Sequence, residues 1–569
     1  MTPTFPTSGD FTIAQDHLYR SLLLFSPELT LALTIPILLI CYFLGGAFRK
    51  GYLWVGLMGT LAALGFAVMD GWPKLENIQN FYQDRIAGSN VILGTNVLNN
   101  LIFSDMIVID PLAIILRWFI LLSLAFILLL NILTRFPQKE ASGDYTILLL
   151  GSTLGMMIMA SANHLLMMFL GMEMATVPCY MLAAFRRTER KAGEAGLKYV
   201  LFGSAVSGLT LYGITLVIAQ FGSGYLPDIA RAYFFWINED KVPMLPSIGL
   251  FLIVLGLFFK LSIIPFHFWC PDVFEGCSAE IAGFLSVASK GAALGLLIRF
   301  LFALADPNYT YVNRVLATTL GIFLGTSGVI TSTFGNLLAL RQTNLQRIFA
   351  YSTIAHAGYL LLPLSCISTE GVATSLFYLI AYLWMNLGVF ACIAIIFQHQ
   401  KTAELARLKG YFQRAPFLVT AMVISILSLL GLPPLIGFAG KFQIFSVLLS
   451  SANQSKSYFP FMQDYLWILI IFTGINTLIS AGFYLKIIRI LILDESNSAM
   501  TNTEKMNSRS NDLIESSCET WPQKLYLFIL SSTVLGLGLF WSPLRTQMDQ
   551  IAQNIQSPSQ TLQMAPRSK

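Results

Sequence analysis

The segment KLSIIPFHFW, residues 260–269, places a lysine five residues before a proline inside an apolar run. A second segment, GLPPLIGFAGKF at 431–442, repeats the combination, with Lys441 following Pro433 and Pro434. Proline lacks a backbone N–H and clashes with the carbonyl group four residues earlier, so it interrupts a helix. Each segment therefore predicts a helix that is broken beside a buried ammonium group.

The composition around these segments is that of a membrane protein. Of the 569 residues, 55% are apolar and only 11% are charged, and the mean hydropathy is +0.68. Soluble domains carry about 25% charged residues, so much of this apolar surface has to face lipid or other membrane helices. The net charge of +5 is modest. We attribute it to loops that set membrane topology, and we expect no nucleic-acid partner.

Apolar segments long enough to cross a bilayer recur along the chain. A hydrocarbon core about 30 Å thick needs roughly 20 apolar residues per helix. This criterion predicts fourteen transmembrane helices, at 27–47, 52–70, 110–133, 145–163, 165–185, 195–220, 246–266, 279–303, 317–334, 347–365, 371–397, 417–447, 466–491 and 523–541. We expect an all-α polytopic protein in which residues 1–569 form a single membrane domain.

Loop charges orient the predicted helices, because lysine and arginine concentrate in cytoplasmic loops. Basic residues are more frequent in alternate loops, at 49–50, 135–139, 186–191, 341–347 and 401–414. With those loops inside, both termini lie on the outer side of the membrane. The Ser/Asn/Glu-rich stretch 494–522 is then predicted to be a flexible cytoplasmic loop before the last helix, 523–541.

The helices divide into an N-terminal group of three (27–133) and two blocks of five, 145–303 and 317–491. The fourth helix of each block carries one of the proline breaks, so helices 7 and 12 of the chain are broken. Because five is an odd number, the second block must be inverted relative to the first. Inverted repeats with broken helices at corresponding places indicate an ion path in transporters.

We single out four of the charged residues inside predicted spans: Glu173, Lys260, Lys290 and Lys441. A charge near the bilayer centre costs about 2.5–3.5 kcal/mol on insertion scales. Carbonyl groups freed at a helix break need water or polar partners, so lysines beside the breaks are candidates to take up and release protons. We expect Glu173 to pair with Lys260. The alternatives are fixed buried ion pairs and lysines that extend to the headgroups.

Two histidines are candidates for the same path. His356 is titratable near neutral pH, and it precedes Lys441 by 85 residues, as Glu173 precedes Lys260 by 87. A hydrogen-bonded core histidine is the alternative. His267 is the candidate for proton uptake towards Lys260. Three acids between helices 7 and 8 form either a proton antenna or, more simply, a solvated loop: Asp272, Glu275 and Glu280.

The sequence gives no signal for a bound cofactor or metal. Its seven cysteines are scattered without CxxC spacing, which argues against zinc or iron–sulfur sites. It contains no GxGxxG and no GxxxxGK[ST] motif, so nothing predicts dinucleotide or nucleotide binding. The first 20 residues lack the basic-then-apolar order of a cleaved signal peptide.

Five strings together resemble the antiporter-like subunit N family of proton-pumping NADH–quinone oxidoreductases, which includes mitochondrial subunit 2: GMEMATVPCYMLAAFRR, FKLSIIPFHFWCPDVFEG, FLSVASKGAALG, ALRQTNLQRIFAYSTIAHAGYLLL and GLPPLIGFAGKF. The resemblance implies fourteen transmembrane helices and two inverted repeats. It also implies a proton path through Glu173, Lys260, Lys290, His356 and Lys441. After FEG the family usually reads APTPVT, whereas this chain reads CSAEIA at 277–282, which introduces Glu280.

The resemblance further implies that this chain belongs to an enzyme complex without carrying a redox centre. NADH, flavin, iron–sulfur clusters and quinone are then bound by other subunits, and the partners are other membrane subunits, lipid and protons. The location implied is an energy-transducing respiratory membrane, which we expect to be the bacterial inner (plasma) membrane. The chain would couple electron transfer from NADH to quinone on those subunits to proton pumping.

Two other functions stay open at the level of the sequence. One is a subunit of a multisubunit Na⁺/H⁺ antiporter, in which a carboxylate in place of Lys441 would be expected because an ammonium group repels Na⁺. The other is a non-pumping structural membrane subunit that braces a larger complex with permanent ion pairs.

Overall fold

The computed structural model describes residues 18–44, 51–86, 100–137, 141–238, 243–304, 311–455, 460–494 and 519–554. Within these ranges the chain is almost entirely helical. One antiparallel pair of short strands, β1 (Asn100–Ile102) and β2 (Ile107–Ile109), precedes the third helix. Most of the predicted loop 494–522 lies outside the described residues.

The named helices of the first half of the chain run to the end of the first predicted repeat: α1 Ser26–Leu44, α2 Tyr52–Ile86, α3 Pro111–Thr134, α4 Ser142–Ser161, α5 Leu165–Ala183, α6 Arg190–Phe221, α7 Leu226–Asn238, α8 Met244–Leu261, α9 Trp269–Gly276 and α10 Ala279–Leu304. Those of the second half are α11 Tyr311–Leu340, α12 Leu345–Leu364, α13 Thr369–Gln400, α14 Pro416–Leu430, α15 Ile436–Ser455, α16 Pro460–Ile492, α17 Trp521–Leu539 and α18 Ser542–Gln553.

Eleven helices in the described part of the chain are long and apolar enough to cross a membrane, by length and composition. The number becomes twelve if α17 and α18, which are bent by 78°, count as one span. The expected all-α polytopic membrane fold is therefore confirmed. Fourteen crossings would also require that α12 and the broken pair α14–α15 cross the membrane, so the number fourteen stays a prediction. The inverted repeat also stays a prediction.

Helix starts follow from local sequence signals. Asp110 caps α3 by accepting a hydrogen bond from the Ala113 N–H at 2.8 Å, and proline occupies the first turn. Asn344 caps α12 in the same way. Short polar side chains at this position satisfy N–H groups that have no partner within the helix. His164 caps α5 through Nδ1, and burial lowers the pKa of this histidine, which favours the neutral ring that can accept the bond.

Both predicted helix breaks are present. Helix α8 ends at Leu261, Ser262 adopts the left-handed conformation with φ +59°, and helical structure resumes at Trp269. Helix α14 ends at Leu430, Gly431 has φ +92°, and α15 starts at Ile436. A φ of +92° suits glycine and strains other residues. The breaks leave carbonyl groups at the ends of α8 and α14 without the helical partners they would have in a continuous helix.

Some elements differ from the sequence-based expectation. Helix α2 continues beyond the predicted span 52–70, to Ile86. Two short amphipathic helices, α7 and α18, were not predicted. Helix α10 contains a π-helical turn at Leu285–Ser289, directly before Lys290. Such turns widen a helix locally and are frequent at functional sites.

Helix α10 lies at the centre of the molecule. It is the most completely buried of the candidate spans, and α3, α4, α8 and α13 pack against it. Most buried apolar side chains form one large core that includes residues from α1 through α18, and a small second cluster lies at β1 and β2. The residues of α10 therefore face protein on every side, which places Lys290 in the interior.

Candidate functional site

Lys260 occupies the last turn of α8, immediately before the first break, and only 4% of it is exposed. Its Nζ donates a hydrogen bond to the hydroxyl oxygen of Thr176 on α5. Thr176 was not singled out from the sequence, although it lies one turn after Glu173 on the same helix. A threonine hydroxyl both donates and accepts hydrogen bonds, and here it accepts from Lys260 and donates to the Met172 carbonyl.

Glu173 does not touch Lys260 in this structure. The carboxylate is half-buried and accepts a hydrogen bond from the Ser207 hydroxyl on α6. Among the described residues, no ion pair of 4.0 Å or less involves Glu173. The direct pair expected from the sequence is thus not formed, because the Thr176 hydroxyl is the hydrogen-bond partner of the lysine. Glu173 still interacts with Lys260 electrostatically.

Lys290 is almost fully buried, with 1% exposed. Its Nζ donates to the backbone carbonyl of Thr353 on α12 at 2.9 Å. The π-turn that precedes it contains Ser286, whose hydroxyl accepts a hydrogen bond from Asn386 of α13 at 2.6 Å. Asn386 also donates to the Tyr382 hydroxyl at 2.9 Å. A line of polar groups therefore starts beside Lys290 and runs along α13.

His356 continues that line on α12. Its Nδ1 is 2.7 Å from the Tyr378 hydroxyl and its Nε2 is 3.2 Å from the Tyr484 hydroxyl. Its ring lies 5.5 Å from the ring of Tyr382, and both Lys290 and Lys441 are near enough to interact with it electrostatically. The structure thus gives His356 the hydrogen bonds of a core histidine and places it near two of the predicted lysines.

Lys441 lies on α15, five residues into the helix that follows the second break, and 5% of it is exposed. Its Nζ donates to the Leu430 carbonyl at 3.0 Å and lies 5.1 Å from the centre of the Tyr359 ring. The Leu430 carbonyl is available because α14 ends there. A methyl group added at Gly431 would come within 3.0 Å of the Lys441 Cδ.

The three lysines share one kind of partner. Each donates to a neutral oxygen, from a threonine hydroxyl or a backbone carbonyl, and none has a carboxylate within 4.0 Å in the described parts of the chain. A permanent ion pair would fix each amine against an acid. These amines are instead held by groups that bind a lysine in either protonation state, since a neutral amine can also donate.

His267 lies in the first break, between α8 and α9, and is buried at 5% exposed. Its Nδ1 has no hydrogen-bond partner among the described residues, and its ring packs 4.3 Å from that of Phe268. The structure brings His267 to the same break as Lys260 but records no polar link between them.

The three acids after the first break separate into two groups. Asp272 and Glu275 form ion pairs with Lys198, Lys191 and Arg347 at 2.7–3.0 Å. Burial raises the pKa of Glu275, but hydrogen bonds from Arg347 and Lys191 outweigh burial and hold this pKa below its usual range. These two acids form a partly exposed ion-pair cluster.

Glu280 is not part of that cluster, and the solvated-loop interpretation is wrong for it. It is 4% exposed and accepts a hydrogen bond from the Thr134 hydroxyl at 2.8 Å. It lines a cavity of about 640 Å³ that opens on the basic face, which we define as the side of the molecule bearing Arg135, Arg186, Arg187 and Lys401.

Two buried ion pairs were missed in the sequence. Arg117 on α3 contacts Glu28 on α1 at 2.6 Å, and Arg299 on α10 makes two hydrogen bonds of 2.8–2.9 Å to Asp110. Both arginines lie inside predicted spans. The search for charged residues within apolar segments that identified Glu173 and the three lysines could therefore have identified these arginines as well. Unlike the lysines, each is fixed by a carboxylate, which indicates a structural role.

No group of three or more His, Cys, Asp or Glu side chains in the described ranges is arranged to hold a metal ion.

A family model described as "NADH:quinone oxidoreductase/Mrp antiporter, TM" matches residues 162–462. The NADH-quinone oxidoreductase subunit N 2 of Chloroherpeton thalassium is 34% identical over 464 residues, which cover 81% of this chain and 85% of the relative. The chain belongs to the NADH-quinone oxidoreductase subunit N family.

Solved structures show that the fold is shared more widely than the sequence. A chain of respiratory complex I from Thermus thermophilus superposes with a TM-score of 0.66 at 24% identity, covering 91% of this chain and 98% of that one. A chain of an archaeal membrane-bound sulfane sulfur reductase superposes with a TM-score of 0.76 at 20% identity, covering 95% and 99%. The antiporter-like fold of the subunit N family is therefore present here.

Proposed function

We propose that this chain is the proton-translocating, antiporter-like membrane subunit of an NADH–quinone oxidoreductase. Membership of the subunit N family supports the assignment of this chain to an NADH–quinone oxidoreductase complex. The observation that supports proton transfer is the buried line of Lys260, Lys290, His356 and Lys441, in which each lysine is held by a neutral oxygen. An ionisable group inside the membrane is costly and is usually retained for function.

In the proposed mechanism, protons reach the middle of the molecule at Lys260 and Lys290. The Lys290 ammonium group releases a proton towards the polar groups on α13 and α12, where His356 exchanges protons through its two tyrosine hydroxyl partners. Lys441 accepts the proton and passes it to the face opposite the basic face. Glu173 acts on Lys260 by electrostatic attraction, and a change in its distance or hydrogen bonding would shift the proton affinity of that lysine.

Several finer features belong to the same proposal. We propose that the blocks 145–303 and 317–491 are inverted repeats and that fourteen helices cross the membrane. The basic face would then be cytoplasmic and both termini external, in a bacterial inner membrane. NADH, flavin, iron–sulfur clusters and quinone would be bound by neighbouring subunits. The corresponding breaks after Leu261 and Leu430 support the repeat.

The two alternatives from the sequence have less support. A Na⁺/H⁺ antiporter needs an anionic binding site on its path, whereas Lys441 presents an ammonium group with no carboxylate within 4.0 Å among the described residues. A purely structural subunit would be braced by permanent ion pairs. Such pairs are present at Arg117 and Arg299, but not at the three lysines.

The proposal is tested with Lys441→Ala and Glu173→Ala in the assembled complex, measured as protons translocated per NADH oxidised in sealed vesicles. We expect both variants to lower this ratio, because each removes an ionisable group from the path. Lys409→Ala, which removes a lysine from the loop between α13 and α14, is the matched control and should leave the ratio unchanged. Normal ratios in both test variants would refute the assigned roles.

A further inference from the structure

The cavity on the basic face is bounded by residues from well-separated parts of the chain. It lies between the end of α3, the start of α4, the loop between α5 and α6, the start of α10 and the end of α13. Its volume of about 640 Å³ is room for many water molecules, since each occupies about 30 Å³ in the liquid. Bulk water can therefore reach the first turn of α10, the central helix.

Glu280 is the acid on α10 at the inner end of this cavity. One carboxyl oxygen, Oε1, accepts the hydrogen bond from Thr134. The other, Oε2, has no hydrogen-bond partner among the described residues, and no lysine, arginine or histidine of the described ranges lies within 4.0 Å of the carboxylate. A buried polar oxygen without a protein partner is commonly satisfied by water. Among the described residues, Glu280 thus presents a carboxyl oxygen without a partner at a cavity that can hold water.

Among the described residues, no group facing Glu280 neutralises it directly. Arg186 is engaged elsewhere, by an ion pair with Glu189 at 3.3 Å and by its position 4.4 Å from the Phe397 ring. Tyr145 and Cys277 are close enough to interact with Glu280 electrostatically. The charged residues that line the cavity with it are Arg135, Asp144, Arg186, Arg187, Glu189 and Lys401.

Glu280 and Lys290 are on the same helix, ten residues apart, which corresponds to a rise of about 15 Å. Between them lies the π-turn Leu285–Ser289, where the Ser286 hydroxyl accepts a hydrogen bond from Asn386, which also donates to the Tyr382 hydroxyl. The acid at the cavity and the lysine at the centre are thus connected by a helix whose regular bonding is interrupted beside polar side chains.

We propose that Glu280 is the proton-uptake group of this chain, which collects protons from the basic face and supplies Lys290. This inference rests on the proposed function and adds an uptake site to it. A proton from cavity water binds the Glu280 carboxylate, and the carboxylic acid then releases it to water that enters near the π-turn. The neutral Lys290 amine accepts it and becomes an ammonium group. Only protons move, so no oxidant or reductant is involved.

A purely structural Glu280 would act only as the hydrogen-bond acceptor of Thr134. Glu280→Gln separates the two roles, because the amide keeps an acceptor oxygen and the shape of the side chain but does not titrate. Glu194→Gln, which changes an exposed acid on α6, is the matched control. Both are measured in the assembled complex as protons translocated per NADH oxidised and as the pH profile of turnover.

We expect Glu280→Gln to lower the proton ratio or to slow coupled turnover by at least about a hundredfold, the lower end of the effect of losing a positioned proton donor or acceptor. Glu280→Asp should retain part of the activity with a shifted pH profile, and Glu194→Gln should behave as the unmodified complex. A normal ratio and an unchanged pH profile in Glu280→Gln would overturn the inference.

A second measurement does not depend on pumping. A hydrophobic carbodiimide reacts with a protonated carboxyl group in an apolar site, so mass spectrometry of treated membranes should find Glu280 modified, increasingly so at lower pH. Absence of modification at every pH would count against proton exchange at this site.

The two proposals can be told apart by comparing variants. If Lys441→Ala lowers the proton ratio and Glu280→Gln does not, the proposed uptake site is wrong and the proposed function stands. If neither lowers it, the proposed function itself fails.

Discussion

At the scale of single residues, the nature of each lysine's partner decides between proton transfer and bracing. Lys260, Lys290 and Lys441 donate to a hydroxyl or a carbonyl oxygen, whereas Arg117 and Arg299 are held by carboxylates. Removing one partner of a buried ion pair costs about 3–5 kcal/mol, because it leaves a charge unpaired. The arginines are therefore expected to matter for stability, and the lysines for transport.

Thr176→Val tests the hydroxyl that binds Lys260. The change keeps the volume of the side chain and removes one hydrogen bond to an amine, a bond worth about 1.5–3 kcal/mol when the partner is charged. We expect proton transfer through Lys260 to slow roughly tenfold to hundredfold, seen as reduced coupled NADH oxidation in sealed vesicles. Thr215→Val, at an exposed site on α6, is the control, and equal rates in the two variants would contradict the role of Thr176.

The sequence identified these lysines because a charge inside an apolar run is visible without a structure. It did not identify Thr176, Tyr378 or Tyr484, since a hydroxyl in an apolar span is common and only packing brings it to a lysine or a histidine. Glu280 was misplaced for a related reason. A glutamate just after a loop resembles a solvated residue, and its burial depends on helices α3 and α13, which are distant in the sequence.

At the scale of secondary-structure elements, the second break positions Lys441. The end of α14 exposes the Leu430 carbonyl that binds the lysine, and Gly431 turns the chain with φ +92°. Proline and glycine in the sequence were enough to predict this break and the one after Leu261. They were not enough to predict α7 and α18, because short amphipathic helices depend on tertiary contacts.

Gly431→Ala tests that geometry. The new methyl group would strain the backbone by about 1–2 kcal/mol at this φ and would approach the Lys441 Cδ at 3.0 Å. We expect fewer protons per NADH, with the complex still assembled on native gels. Gly474→Ala on α16, where an added methyl group meets nothing within 4 Å, is the control. A normal ratio for Gly431→Ala would show that the break does not set the position of Lys441.

The terminal helix α18 is attached by Arg545. This side chain donates to Thr374 on α13 and Gln443 on α15, both at 2.7 Å, and pairs with Asp549 within its own helix. Charged hydrogen bonds of this kind are worth about 1.5–3 kcal/mol each. We expect Arg545→Ala to detach α18 and increase its cleavage in limited proteolysis, whereas Thr546→Ala should not. Unchanged cleavage of Arg545→Ala would mean that apolar packing alone holds the helix.

At the scale of the whole molecule, the proposed proton route crosses between two sets of helices. Lys260 and Lys290 belong to α8 and α10, and Lys441 belongs to α15. His356 on α12 is near enough to Lys290 and Lys441 to interact with both electrostatically. The helix breaks, the family and the ionisable residues of the proposed path were predicted from the sequence. The hydroxyl and amide groups beside those residues were not, because they depend on how α12 and α13 pack against α10.

The most direct test of this account is the number of protons translocated per NADH by the assembled complex carrying His356→Gln, measured in sealed vesicles. His399→Gln, which changes an exposed histidine at the end of α13, is the control. We expect His356→Gln to lower the ratio while NADH oxidation continues in uncoupled vesicles, because Lys290 and Lys441 lose a titratable group that is near both of them. A ratio equal to that of His399→Gln would show that His356 takes no part in proton transfer.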